Sequence, residues 1–155
     1  MIIIGILGDI GSGKSFVSKQ FGYPVFNADN EVVKIYRNNK TCFAKLKKIL
    51  PKYIHSFPID KTELTNAILK NKKNIKKISK IVHPFVRKRM NSFFLKNKRK
   101  KLVILDVPLL LENNIIKKNM ILVFVDSKKS DISSRLNKRK SFNGKIFKRL
   151  KEIQL

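Results

Sequence analysis

Gly8-Asp9-Ile10-Gly11-Ser12-Gly13-Lys14-Ser15 is the stretch on which the reading of the fold turns. It satisfies the spacing G-x-x-x-x-G-K-[ST] of a phosphate-binding loop. It also stands in the context that this motif requires, after a strand and before a helix. The preceding Ile2-Ile3-Ile4-Gly5-Ile6-Leu7 is a continuous, largely β-branched run, the pattern of a strand covered on both faces. Lys14 to Phe21 reads as the helix. Glycines let successive backbone N–H groups turn toward one center, and the start of the helix adds the positive end of its dipole. Gly11, Ser12, Gly13, Lys14, Ser15 and Phe16 are therefore the candidate ATP-binding residues, with Lys14 on a phosphate and the Ser15 hydroxyl as a ligand to Mg2+.

Outward from this loop, Tyr23 to Asn27 reads as a short strand after Gly22. Asp29 falls where the next helix would begin, a favoured N-cap position. Asn30 to Asn97 is lysine-rich, with apolar positions such as Ile68, Leu69, Ile75, Ile78, Ile81 and Val82 at helical spacing; Pro51, Pro58 and Pro84 are expected to divide it into several helices. Leu102 to Asp106 and Ile121 to Asp126 are apolar strands that each end in an acid. Ser130 to Lys140 and Lys145 to Leu155 read as helices. Alternation of strand and helix predicts an α/β fold with a parallel sheet.

The 155 residues are the size of one domain. The single cysteine, Cys42, rules out an intramolecular disulfide framework and reads as a small core or surface residue rather than a nucleophile. The N-terminus runs into the phosphate loop without the build of a signal peptide, and the longest apolar runs, such as Met120 to Val125, are strand-sized. A soluble, cytoplasmic protein without a membrane partner is expected. The net charge of +26 could signal a polyanionic partner. Lysines outnumber arginines 29 to 7 and travel with abundant Ile and Asn, however, which is the signature of AT-rich codons filling tolerant surface positions. Nothing resembles a nucleic-acid recognition motif, so no dedicated nucleic-acid partner is expected.

Taken together, the phosphate loop, Asn27-Ala28-Asp29, Ile81-Val82-His83-Pro84-Phe85-Val86-Arg87 and Asp106-Val107-Pro108-Leu109-Leu110-Leu111-Glu112 resemble the dephospho-CoA kinase family. The H-P-x-V-R and V-P-L-L-x-E elements are more particular to that family than the phosphate loop. The resemblance implies a P-loop NTPase three-layer sandwich with a helical substrate-binding insert and a lid. The core would be residues 1–30 and 100–130, the acceptor-binding insert about 31–99 and the lid about 131–150, all in one kinase domain. The implied reaction moves the γ-phosphoryl group of ATP, bound with Mg2+, to the ribose 3′-hydroxyl of dephospho-CoA.

By the same resemblance, Asp29 stands beside the acceptor hydroxyl, able to orient it and accept its proton; without the family it is equally an N-cap. Asp106, at a strand end, could hold Mg2+ with Ser15, or serve as a surface cap. His83 and Arg87, one helical turn apart, are the candidate acceptor-binding residues, against the reading of a helix-capping His and a solvated Arg. Arg135 and Arg139, spaced i, i+4, resemble lid arginines that close over the triphosphate, although basic runs are usually wet faces. Glu112 and Asp126 receive no role. Asp9 replaces a usual Gly and is expected to point outward; Asn27 replaces a usual Asp.

The family continues past the glutamine that Gln154 resembles with a further strand and helix. The chain is thus expected to lack several dozen residues of the pattern and part of the adenine pocket, leaving Ile121 to Val125 at a sheet edge. A kinase for another small molecule or nucleotide, and a nucleotide-binding module without turnover, are the alternative readings.

Overall fold

The structure, a computed structural model, describes residues 1–107, 120–138 and 144. Among the described residues four strands form one parallel sheet: β1 (Ile2–Leu7), β2 (Val25–Asn27), β3 (Leu102–Asp106) and β4 (Met120–Phe124), in the order β2-β3-β1-β4. Helices lie on both sides, in the α/β arrangement expected from the alternation of elements. β1 and β3 are central, and their apolar residues are accordingly covered on both faces: Ile3, Ile4, Ile6, Val103, Ile104 and Leu105 are all buried. Isoleucine and valine suit such strands because their branched side chains pack against neighbours on the pleated surface. β4 pairs with β1 and is the outer strand among the described residues, where Ile121, Leu122 and Phe124 are exposed.

The register carries the functional consequence. Ile6 lies opposite Asp106, and Asn27 lies opposite Asp106 on the other side, so three strands end together where the phosphate loop begins. Helix α1 (Lys14–Gln20) leaves that loop, with Gly13 in a left-handed conformation at its N-cap. Helix α6 (Lys129–Asn137) follows β4.

The chain divides into two compact units, one comprising the described residues of Met1–Asp29 and Phe93–Leu155, the other Asn30–Ser92. The second unit is helical: most of α2 (Ala28–Asn38), then α3 (Lys40–Ile49), α4 (Lys61–Lys70) and most of α5 (Lys73–Lys96). Its own core gathers Ile35, Cys42, Leu46, Leu50, Ile54, Ile59, Leu64, Ala67, Ile78 and Val82. Asn39 caps α3 by accepting from the Cys42 N–H at 2.8 Å, and Asp60 caps α4 by accepting from Thr62 N–H at 2.8 Å. Cys42 is fully buried, and burial pushes its thiol up to about 11, which agrees with a packing role.

Two expectations for local structure are corrected. Pro84 does not end a helix but lies inside α5, a single helix of 24 residues. Proline removes one N–H from the helical ladder. Pro84 and Lys80, whose carbonyl loses that bond, are both exposed, while buried Ile75, Ile78 and Val82 before the proline and Met90 and Phe94 after it hold the helix by packing. Asp29 is likewise not an N-cap. Helix α2 begins at Ala28, directly after β2, so Asp29 is its second residue. Among the described residues no helix is long and apolar enough to cross a membrane.

Candidate active site

The loop between β1 and α1 turns back tightly on itself, and two of its glycines are required for reasons of space. A Cβ on Gly8, at φ +138°, would fall 2.3 Å from the Val125 carbonyl oxygen and 2.8 Å from Ser12 Oγ. One on Gly11, at φ +91°, would sit 3.1 Å from a methyl of Ile132 and 3.2 Å from Leu136. Helix α6 thus packs directly on the loop, and Leu136 is buried there. Ser12 N–H closes the loop by donating to the Asp9 carbonyl at 3.0 Å, and the Lys14 ammonium donates to the carbonyls of Gly8 and Asp9 at 2.7 Å each. The Asp9 residue is exposed, in keeping with a side chain turned outward.

Below the loop, Ser15 Oγ donates to Asp106 Oδ2 at 2.6 Å, across 91 residues of sequence. The Asn27 side-chain amide donates to the same oxygen at 2.5 Å and to Ser15 Oγ at 3.4 Å. Asp106 is 2% exposed, which removes the surface-cap reading: its carboxylate is buried between a hydroxyl and an amide that both present hydrogen to it. Asn27 is a site residue that motif reading undervalued, because at its position only the lack of a charge was visible. Its backbone register opposite Asp106 is what makes it a partner.

Ile10, Gly11, Gly13, Lys14, Ser15, Phe16, Asp29 and Asp106 line one cavity of about 220 Å³. Asp29 is exposed and is one of the residues lining this cavity. Phe16, at 70% exposed, lies open on the rim. Arg135 reaches the loop from α6: its Nη1 donates to the carbonyls of Gly11 at 3.3 Å and Ser12 at 3.1 Å and to Ser127 Oγ at 3.2 Å. Arg139 and Glu112 lie outside the described residues.

His83 and Arg87 are not part of this cavity; they lie on α5 in the helical unit. With Lys80, Pro84, Lys88 and Asn91 they line an open hollow of about 400 Å³ whose charged members are all basic. Partial burial, and then the charge of Arg87, hold the His83 imidazole below its ordinary pKa. The helix-capping reading of His83 fails because α5 continues for 13 residues beyond it, to Lys96.

A strand, a glycine-rich loop, a hydroxyl at the start of a helix and a buried strand-end carboxylate bonded to that hydroxyl are an arrangement able to receive nucleotide phosphates. The family model of dephospho-CoA kinase matches this chain over residues 2–155. The chain belongs to the dephospho-CoA kinase family. Among curated members, the dephospho-CoA kinase of Wolbachia pipientis wMel is 36% identical over 143 residues, covering 89% of this chain and 73% of that protein. That of Rickettsia bellii (strain RML369-C) is 30% identical over 158 residues, covering all of this chain and 81% of the relative. Of solved structures, TT1252 from Thermus thermophilus superposes with a TM-score of 0.74 at 28% identity, over 99% of this chain and 80% of that one. Dephospho-CoA kinase from Campylobacter jejuni superposes at 0.63 and 20% identity, over 98% and 79%, which shows the shared fold. As a member of the dephospho-CoA kinase family the chain is an ATP-dependent phosphotransferase of coenzyme A biosynthesis, and the P-loop fold that the resemblance implies is the fold it has.

Proposed function

We propose that the chain transfers the γ-phosphoryl group of MgATP to the ribose 3′-hydroxyl of dephospho-CoA, giving coenzyme A and ADP. The observation that carries this reading is the convergence of the phosphate loop, the Ser15–Asp106 pair and the Asp29 carboxylate on one cavity.

Phosphoryl transfer asks little covalent chemistry of a protein; it asks for positioning and for charge neutralisation. Loop amides and the Lys14 ammonium hold the triphosphate. Asp29 orients the acceptor hydroxyl and takes its proton as the new O–P bond forms and the bond to the ADP oxygen breaks; the proton then passes to solvent. Ser15 and Asp106 would hold Mg2+, and this donor set fits it: one hydroxyl and one carboxylate, both hard oxygens already 2.6 Å apart, leaving the remaining positions to phosphate oxygens and water. Among the described residues no larger cluster of His, Cys, Asp or Glu competes for a metal. Bound there, Mg2+ would supply positive charge to the triphosphate. Arg135, and with it Arg139, would add further positive charge near the phosphates, and His83 and Arg87 would bind anionic groups of the acceptor.

The test is product analysis. Incubation with ATP, Mg2+ and dephospho-CoA, read by mass spectrometry and by ADP release, should give a product one phosphoryl group heavier and sensitive to a 3′-nucleotidase. Transfer to nucleoside monophosphates in place of dephospho-CoA would overturn the choice of acceptor.

A further inference from the structure

Ser127 lies between β4 and α6, in none of the motifs, yet it touches the phosphate loop. Its Oγ donates to the Ser12 carbonyl at 2.7 Å and accepts from Arg135 Nη1 at 3.2 Å, while Arg135 also donates to that carbonyl. Asp126 steadies it, accepting from the Ser127 N–H at 2.8 Å. The Ser12 carbonyl therefore has two side-chain donors on the face of the loop toward α6.

The peptide unit is planar and trans, so its C=O and the N–H of the next residue point in opposite directions. Ser12 C=O shares its plane with the Gly13 N–H. Holding the carbonyl toward Ser127 and Arg135 turns that N–H away from them. Gly13, flanked by glycine-like freedom at φ +102°, has no side chain to fix this plane by itself. Gly13 lines the cavity whereas Ser12, 3% exposed, does not.

We propose that Ser127 is a positioning residue for nucleotide binding, which locks the Ser12–Gly13 peptide so that its N–H is presented to a phosphate of ATP. Arg135 acts at the same carbonyl, as a buttress of the loop from outside. This inference rests on the reading of the cavity as the ATP site, and it assigns the β4–α6 connection to ATP rather than to the acceptor.

The experiment compares Ser127→Thr with Ser127→Val in the full chain, a pair matched in volume that differs in the hydroxyl, with Ser127→Ala beside them. Calorimetric titration with MgATP is run without acceptor, so that binding is read apart from turnover. A neutral hydrogen bond is worth about 1 kcal/mol, which corresponds to a dissociation constant raised about fivefold. Ser127→Val and Ser127→Ala should show that loss, with the KM for dephospho-CoA unchanged, and Ser127→Thr should bind ATP within about twofold of the parent. Equal ATP binding by the Thr and Val variants would overturn the proposal. So would a loss of ATP and acceptor binding in the same proportion together with a lowered melting temperature, since that marks a general folding defect. If the parent itself fails to bind MgATP, the nucleotide reading falls and this inference falls with it.

Discussion

Asp106→Asn separates the chemistry of the buried carboxylate from its place in the fold. Both donors, Ser15 Oγ and the Asn27 amide, reach the same atom, Oδ2. An asparagine can set its carbonyl oxygen there and accept from both, so the geometry survives while the charge is lost. Hydrogen bonds to charged groups are worth about 1.5–3 kcal/mol against about 0.5–1.5 for neutral ones, so two bonds weaken by roughly 2 kcal/mol in all. Against this stands the relief of burying one fewer charge at a residue 2% exposed, a term of similar size and opposite sign. Stability should consequently change by no more than about 1 kcal/mol, a shift of a few degrees in melting temperature. Turnover should fall about 100-fold or more, equivalent to about 2.7 kcal/mol of lost transition-state stabilisation, and the Mg2+ concentration for half-maximal rate should rise. Asp106→Ala, by contrast, removes the buried acceptor that Ser15 and Asn27 share and should cost about 2–4 kcal/mol of stability as well. The assays are thermal unfolding and initial rates across a Mg2+ titration. Asp106→Asn turning over within threefold of the parent, with an unaltered Mg2+ dependence, would refute the role given to this carboxylate.

Asp29→Asn should lower turnover about 100-fold or more while leaving MgATP affinity within about twofold, because a proton acceptor is lost and no phosphate contact is; steady-state rates and calorimetry check the two halves. Lys14→Ala should instead weaken MgATP binding and turnover together in the same two measurements. Gly8→Ala should destabilise the first unit severely, since its Cβ would lie 2.3 Å from the Val125 carbonyl, and circular dichroism on heating would register it. His83 has a pKa depressed in the folded chain, so the unfolded chain binds more protons between the two values and stability falls as pH drops below the ordinary histidine range. Unfolding midpoints between pH 7.5 and 5 should fall less steeply for His83→Gln than for the parent.

Much of the molecule was legible along the chain because its signals are local. The run Leu102 to Asp106 is β3 to the residue, and the phosphate loop falls between β1 and α1 as its motif demands. Pro84 misled because propensity is local whereas the force that carries α5 through it is burial of Ile78, Val82, Met90 and Phe94 along the same helix. Asp29 reads as a cap along the chain but stands two positions further on, as the second residue of α2, because β2 passes into α2 at Ala28 without the loop that a cap would close.

The phosphate loop, the parallel α/β class and the family were set by the sequence alone, since each depends on residue types at short, fixed spacings. What only the tertiary structure decided is how distant residues meet. Ser15, Asn27 and Asp106 join because β2 and β3 are paired in a particular register, and Ser127 and Arg135 reach Ser12 because α6 packs on Gly11. Such contacts follow from the pairing and packing of whole elements, and no spacing along the chain records them.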